Sequence, residues 1–350
     1  MFIEYNDSLK DELEIFKKKV IKKGNERDVS EDPFSYYKNK KLYKSKLWVL
    51  IQENIIVASV IIKTQNYYVS GKIEEINFIK YPISLATFDK KYISSSIKLI
   101  QNIKLKFPKS YLLGMGGSNT KTAKIFSTFG YKIKDLPFYV KPLNLLNILT
   151  QNPYSLKYLK ILSKLKISRS LSSLKFKDNS YEIKEIANFK KEDFKNRVPI
   201  SSFELEKNDL QLNSLAPNEI KNFNKFIIYE NKLNIGNCTL FVNQCLEHKY
   251  FGNLKIGVFL DLYIYKNCQN INKTIKSLNL KLKQKNIDIL IFNCGSKEII
   301  SMLKKNKWIS LKSQWAFGAS PDLFKDINLE DLYLSRLDGD GPINLGVNYL

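Results

Sequence analysis

The stretch LLGMGGSNTKTAKIFSTFGYKI, Leu112 to Ile133, closes an apolar run with Gly114, Gly116 and Gly117 and then reads as a helix. Glycines before a helix suit phosphate chemistry, because the backbone can approach an anion and the first helical amides can donate to it. Asp261 offers a different chemistry. It lies inside an apolar run (Phe259, Leu260, Leu262, Tyr263), where desolvation would lift a carboxyl pKa toward the range useful for taking a proton. The remaining inventory mainly excludes. The four cysteines Cys238, Cys245, Cys268 and Cys294 form no Cys-x-x-Cys pair, and His248, in CLEHKY, is the one histidine. A zinc site, a Ser-His-Asp triad and a Cys-His pair are therefore not expected, and neither is any other metal. Asp338-Gly339-Asp340-Gly341-Pro342 resembles half a calcium loop but lacks the closing Glu. It is expected to dock on the body and to line an acceptor pocket with Asp338 and Asp340.

The elements that must position these residues occur twice. YLLGMGGSNTKTAKIFSTFGYKI and ILIFNCGSKEIISMLKKNKWIS both read strand, Gly-Ser, helix, aromatic residue, and an offset of 178 residues takes Gly117 to Gly295. The same offset lays WVLIQENIIVASVIIKTQ, from Trp48, on FIIYENKLNIGNCTLFVNQ, from Phe226, each a strand, a polar turn and a strand. It also lays ISSSIKLIQNIKL on NKTIKSLNLKL. Ile97, Ile100 and Ile103 make an apolar stripe on the first helix, and Ile275, Leu278 and Leu282 on the second. Each copy reads strand, turn, strand, strand, loop, helix, strand, helix, strand, which argues for an α/β layered unit. The expected division is 1–141, a linker 142–179, a second copy 180–320 and a tail 321–350.

Within the linker, the stretch Pro142 to Lys177 carries six Lys, one Arg and no acidic residue. Tyr158, Ile161, Leu162 and Leu165 share one helical face and Lys157, Lys160 and Lys164 another, a basic amphipathic helix suited to docking between domains or to peripheral contact with an anionic membrane. The whole chain has 350 residues and a net charge of +23, which suits an anionic partner. Lysines spread over its full length make a poor nucleic-acid footprint, so nucleic acid is not expected. The N-terminus is too charged for a signal peptide and no apolar run approaches the roughly 20 residues of a membrane span, so a cytoplasmic protein with reduced thiols is expected.

Two further motifs bear a family resemblance. In LDLYIYKNCQNINKT a strand leads to Gln269, Asn272 and Thr274, and the repeat offset gives Lys91, Ser94 and Ser96, with Ser95 between them, in the first copy. Asn119 is followed by Phe126 at seven residues and Gly130-Tyr131 at eleven and twelve. These patterns resemble the GNAT (Gcn5-related N-acetyltransferase) fold, which binds acyl-coenzyme A. The first resembles its Gln/Arg-x-x-Gly-x-Gly/Ala phosphate loop, although neither copy keeps a glycine. The second resembles its Asn, Tyr, Gly-Phe signature, with Phe126 where a proton-donating Tyr often stands. In the second copy Lys297, Lys304 and Trp308-Ile309 occupy those places. The resemblance covers roughly 1–141 and 180–320.

The resemblance implies two tandem GNAT-like domains, each a mixed, mostly antiparallel twisted sheet flanked by helices. It implies acyl-CoA, acetyl-CoA in particular, as co-substrate, held by Lys91, Ser94, Ser95, Ser96, Asn119, Gln269, Asn272 and Thr274. It also implies a carboxylate on the fourth strand, Glu75 or Asp261, to take the amine proton, with Tyr131, Tyr139 or water replacing the missing tyrosine. The tail YLSRLDGDGPINL looks like those of tandem GNAT proteins from surface-polysaccharide gene clusters. The acceptor expected is then an amine, such as a nucleotide- or lipid-linked amino sugar. Two alternatives are a non-catalytic GNAT-fold binding or scaffold protein and a Fem-like transferase using charged tRNA.

Overall fold

The computed structural model describes residues 1–22, 44–151, 180–248 and 251–339. The amphipathic helix expected within the linker, with its membrane contact, and Asp340 lie outside them. The strands in chain order are β1 (Phe2–Glu4), β2 (Lys44–Gln52), β3 (Ile55–Val69), β4 (Lys72–Ser84), β5 (Ser110–Met115), β6 (Lys132–Asp135), β7 (Phe138–Pro142) and β8 (Tyr181–Ile186). They continue as β9 (Phe203–Leu205), β10 (Phe223–Glu230), β11 (Leu233–Gln244), β12 (Lys255–Ile264), β13 (Ile289–Asn293), β14 (Ile309–Leu311) and β15 (Trp315–Ala319). The chain divides into two compact units. The first comprises 1–136, 202–206 and 313–329; the second comprises 137–201, 207–312 and 330–350.

In the first unit the sheet runs β1-β2-β3-β4-β5-β15-β6, with β9 on the far end of β3. Its β2–β3 hairpin turns through Glu53 and Asn54, both at positive φ, as a tight two-residue turn between twisted strands requires. One apolar cluster joins Leu13, Phe16 and Val20 of helix α1 (Lys10–Lys22) to Val49, Ile61 and Ile83. Another joins Leu99, Ile100 and Ile103 of α2 (Ile93–Lys106) to Val60, Ile62, Leu112, Phe126 and Tyr131. Ile97, expected in the buried stripe, is 46% exposed. At 3.6 residues per turn the inward arc is centred on Leu99–Ile103 and leaves Ile97 at its margin.

In the second unit the sheet runs β14-β7-β13-β12-β11-β10-β8. Its β10–β11 hairpin repeats the first: Trp48 lies opposite Val60 and Phe226 opposite Cys238, each 178 residues on. Bulges follow Leu50 and Ile228, and the turn residues Asn231 and Lys232 also have positive φ. Ile275, Leu278 and Leu282, the expected stripe, are buried on one face of α3 (Ile271–Gln284).

The two units exchange strands along the sequence. β7 follows β6 directly but pairs between β13 and β14. β15 follows β14 directly but pairs between β5 and β6. The boundary expected at 141 therefore falls inside β7, and the first nine residues of the expected tail, 321–329, belong to the first unit. Lys109 fastens that returning segment by ion pairs to Glu74 (2.5 Å) and Asp326 (2.8 Å). The Ser70 hydroxyl donates to the Asp326 carbonyl.

Candidate functional site

In the first unit β4 and β5 run parallel and pair only through Asn77–Ser110 and Phe78–Tyr111. Beyond those rungs the two strands no longer pair with each other, β4 staying paired with β3 to Ser84 and β5 with β15 to Met115, so a V-shaped gap opens at their C-terminal ends. The arms are unusual in backbone conformation. On β4 the register with β3 shifts next to Tyr81, which has φ of 49°, and Pro82 contributes no amide. On β5 Gly114, Met115, Gly116 and Gly117 all have positive φ, a run that L side chains avoid. Positive φ at the non-glycine Tyr81 and Met115 is costly and clusters at functional sites.

The arms lead to two turns. After β4, Asp89 accepts from the Lys91 amide, and α2 starts at Ile93. Lys91 and Ser94 are exposed there and Ser96 is half-buried, so they can reach an anion drawn to the positive helix end. Ser95 is fully buried, and its hydroxyl is shared with Ser84 and the Tyr92 carbonyl. After β5, Asn119 is exposed in the glycine turn. The Asp135 carboxylate accepts from both the amide (2.8 Å) and the hydroxyl (2.7 Å) of Ser118. A carboxylate on that amide opposes an anion at the glycine turn. Phe126 is core, edge-on to Tyr131. Burial pushes the Tyr131 phenol up to about 12, with Ser110 partly opposing, so it keeps its proton. Glu75 is exposed on β4 two residues before the first rung, on the side away from the opening.

In the second unit β12 pairs with β13 from Ile256–Ile289 to Phe259–Phe292, and β12 then runs on to Ile264. Asp261 lies two residues past the last rung and is 0% exposed. Its Oδ1 accepts from Lys207 Nζ (2.9 Å) and lies 2.9 Å from the Tyr333 hydroxyl. Lys207 Nζ is also 2.9 Å from Asp338 Oδ1 and donates to Ser335 Oγ (3.0 Å). Burial works against the Lys207 ammonium, but Asp261 and Asp338 outweigh it and its pKa is raised. Asp261 is thus held as one partner of a buried ion pair. Asp338 belongs to the same ionic cluster.

Gln269 is exposed before α3, and its amide donates to Glu230 Oε2 (2.9 Å). Glu230 also accepts from the Tyr181 hydroxyl. Asn272 accepts from Asn306, and the buried Thr274 donates to the Asn270 carbonyl and meets Cys268 Sγ. Tyr139, expected to serve the first copy, lies in the second unit on β7, where burial raises its phenol pKa and Ser310 partly opposes. Lys91, Ser94, Ser95, Ser96 and Asn119 thus lie in the first unit, and Asp261, Asp338, Gln269, Asn272, Thr274 and Tyr139 in the second. Sequence reading missed Lys207, Tyr333 and Glu230, whose neighbours are distant in the chain. It also passed over Tyr81-Pro82, although proline inside a strand signals a bulge or an edge.

Two solved structures have a similar fold. A GCN5-related N-acetyltransferase from Anabaena variabilis ATCC 29413 is 10% identical with a TM-score of 0.58, over 91% of this chain and 72% of that one. A conserved protein of unknown function from Enterococcus faecalis V583, titled "Probable N-Acyltransferase", is 10% identical with a TM-score of 0.55, over 92% of this chain and 72% of that one. The fold is that of the GCN5-related N-acetyltransferases. Neither a protein-family model nor a curated protein matches the sequence. Among the described residues no helix of this GNAT-fold chain is long and apolar enough to cross a membrane.

Proposed function

We propose that the protein is an N-acyltransferase that draws on acyl-coenzyme A and acylates a small amine. The observation that carries this reading is the gap between β4 and β5 in the first unit, opening beside the basic start of α2. In this reading the extended thioester arm lies in the gap, and Lys91, Ser94 and Ser96 serve the phosphates of its carrier. A neutral amine attacks the thioester carbonyl; the C–N bond forms, the C–S bond breaks, the amine loses a proton and the thiolate gains one. With Phe126 in the core, Tyr131 holding its proton and Glu75 short of the gap, water carries both protons. Much of the rate then comes from holding the reactants together. The net charge of +23 favours an acceptor on an anionic carrier, such as a nucleotide- or lipid-linked amino sugar of surface-polysaccharide synthesis.

Isothermal titration with acetyl-CoA tests the carrier, and thiol release in the presence of amino-sugar nucleotides tests the reaction. Saturable heat and acceptor-dependent thiol release are expected. No heat at millimolar acetyl-CoA would overturn the enzyme reading. Heat without turnover on any amine would favour a binding protein that kept the fold, a reading to which the Phe126 position lends support.

A further inference from the structure

In the second unit β12 runs five residues past its last rung with β13, while β13 ends one residue past it at Asn293, and a later segment of the same chain lies against both strand ends. Three contacts hold the segment Tyr333–Asp338 there. The Tyr333 hydroxyl lies 2.7 Å from the Leu262 carbonyl oxygen, on β12 beyond the last rung. The Leu334 carbonyl accepts from the Gly295 amide (3.2 Å), just past β13. Arg336 Nε donates to Asn293 Oδ1 (2.9 Å) at the end of β13. The segment therefore touches both arms of the V. Lys207, wholly buried with Asp261 and Asp338, fixes it by charge, and the Tyr333 ring packs edge-on against Tyr263 (4.9 Å). Glu230, 7% exposed, accepts from the Gln269 amide before α3. In the first unit the repeat-equivalent Lys91 amide is likewise taken by a carboxylate, that of Asp89, so the contacts at the strand ends are what distinguish the two units.

We infer that the chain closes its second gap with its own segment Tyr333–Asp338, so that the second unit takes no acyl carrier and each chain binds one. The inference rests on the acyltransferase reading for its ligand but not for the closure, so two measurements on the full chain separate them. In hydrogen exchange without ligand, the amides of Gly295 and Ser335, the latter donating to Asp338 Oδ2, are expected to be protected at the level of the core strands. Exchange at loop rates would overturn the closure. In titration with acetyl-CoA, one equivalent per chain is expected. Lys91→Glu should weaken it at least about tenfold, Gln269→Glu should leave it within about twofold, and the two protected amides should not change on saturation. Two equivalents, sensitivity to Gln269→Glu alone, or deprotection of Gly295 by acetyl-CoA would each overturn the inference. Complete absence of heat would refute the acyltransferase reading, while fast exchange would refute the closure.

Discussion

Lys207 is the residue with the most to lose by substitution. It faces two carboxylates at 0% exposure, so Lys207→Met leaves both buried without their cation. Removing one partner of such a cluster costs on the order of 3–5 kcal/mol, and chemical denaturation should show a loss of that size. Replacing Asp261 and Asp338 by Asn in the same background should recover part of it. The lysines also contribute to the pH response of the second unit. Burial pushes Lys141 and Lys225 down to about 8, with Lys307 adding to the first and Glu219 partly opposing the second. Between about 8 and 10.5 the folded state has released these protons and the unfolded chain has not, so these two contribute stability that rises with pH in that window. The thiols of Cys238, Cys245, Cys268 and Cys294, each raised above 9 by burial, contribute the opposite slope from about 9 upward. Lys207 also has the opposite sign to Lys141 and Lys225. Its contribution is fully present below 10.5 and is lost as pH rises through its higher folded pKa. Urea unfolding across this range should show a rise followed by a fall, and Lys225→Met should flatten the rise.

At the scale of elements, the hairpins and helices were legible because their signals are local. The turns Glu53-Asn54 and Asn231-Lys232, the buried stripe on α3 and the Gly117-Ser118 turn all follow from neighbours within a few positions. The backbone contact between β11 and β12 was not legible. A Cβ added at Gly236 would meet the Tyr263 carbonyl oxygen at 2.4 Å and Ile264 Cα at 3.2 Å, so the strands themselves must move. A Cβ at Gly257 would meet the end of the Leu290 side chain at 2.9 Å, which can turn aside. Gly236→Ala is therefore expected to destabilise by about 1–3 kcal/mol and Gly257→Ala by clearly less. Thermal unfolding of the two variants compares them directly, and equal losses would contradict this account.

At the scale of the whole molecule, the exchange of β7 and β15 makes each unit depend on chain from the other half. A fragment ending at 141 lacks β15, leaving β5 and β6 without the strand that pairs with both. It should show neither a cooperative melt nor a dispersed amide spectrum, whereas a conventional tandem arrangement would yield a folded fragment. The sequence by itself determined the α/β class, the two hairpin turns, the apolar stripe of α3, and the loss of glycines and of a tyrosine from a GNAT-like pattern. Those properties depend on residue type and short-range period. Tertiary structure decided which sheet receives β7 and β15, because short apolar strands such as FYVKP and WAFGA carry no mark of their partner. It also decided the state of Asp261, whose apolar strand suggested a raised, proton-accepting carboxyl. Lys207, 54 residues away, and Tyr333, 72 residues away, make it an ion-pair partner instead. Desolvation can be read from a residue's neighbours in sequence, but the charge that answers it comes from wherever the chain returns.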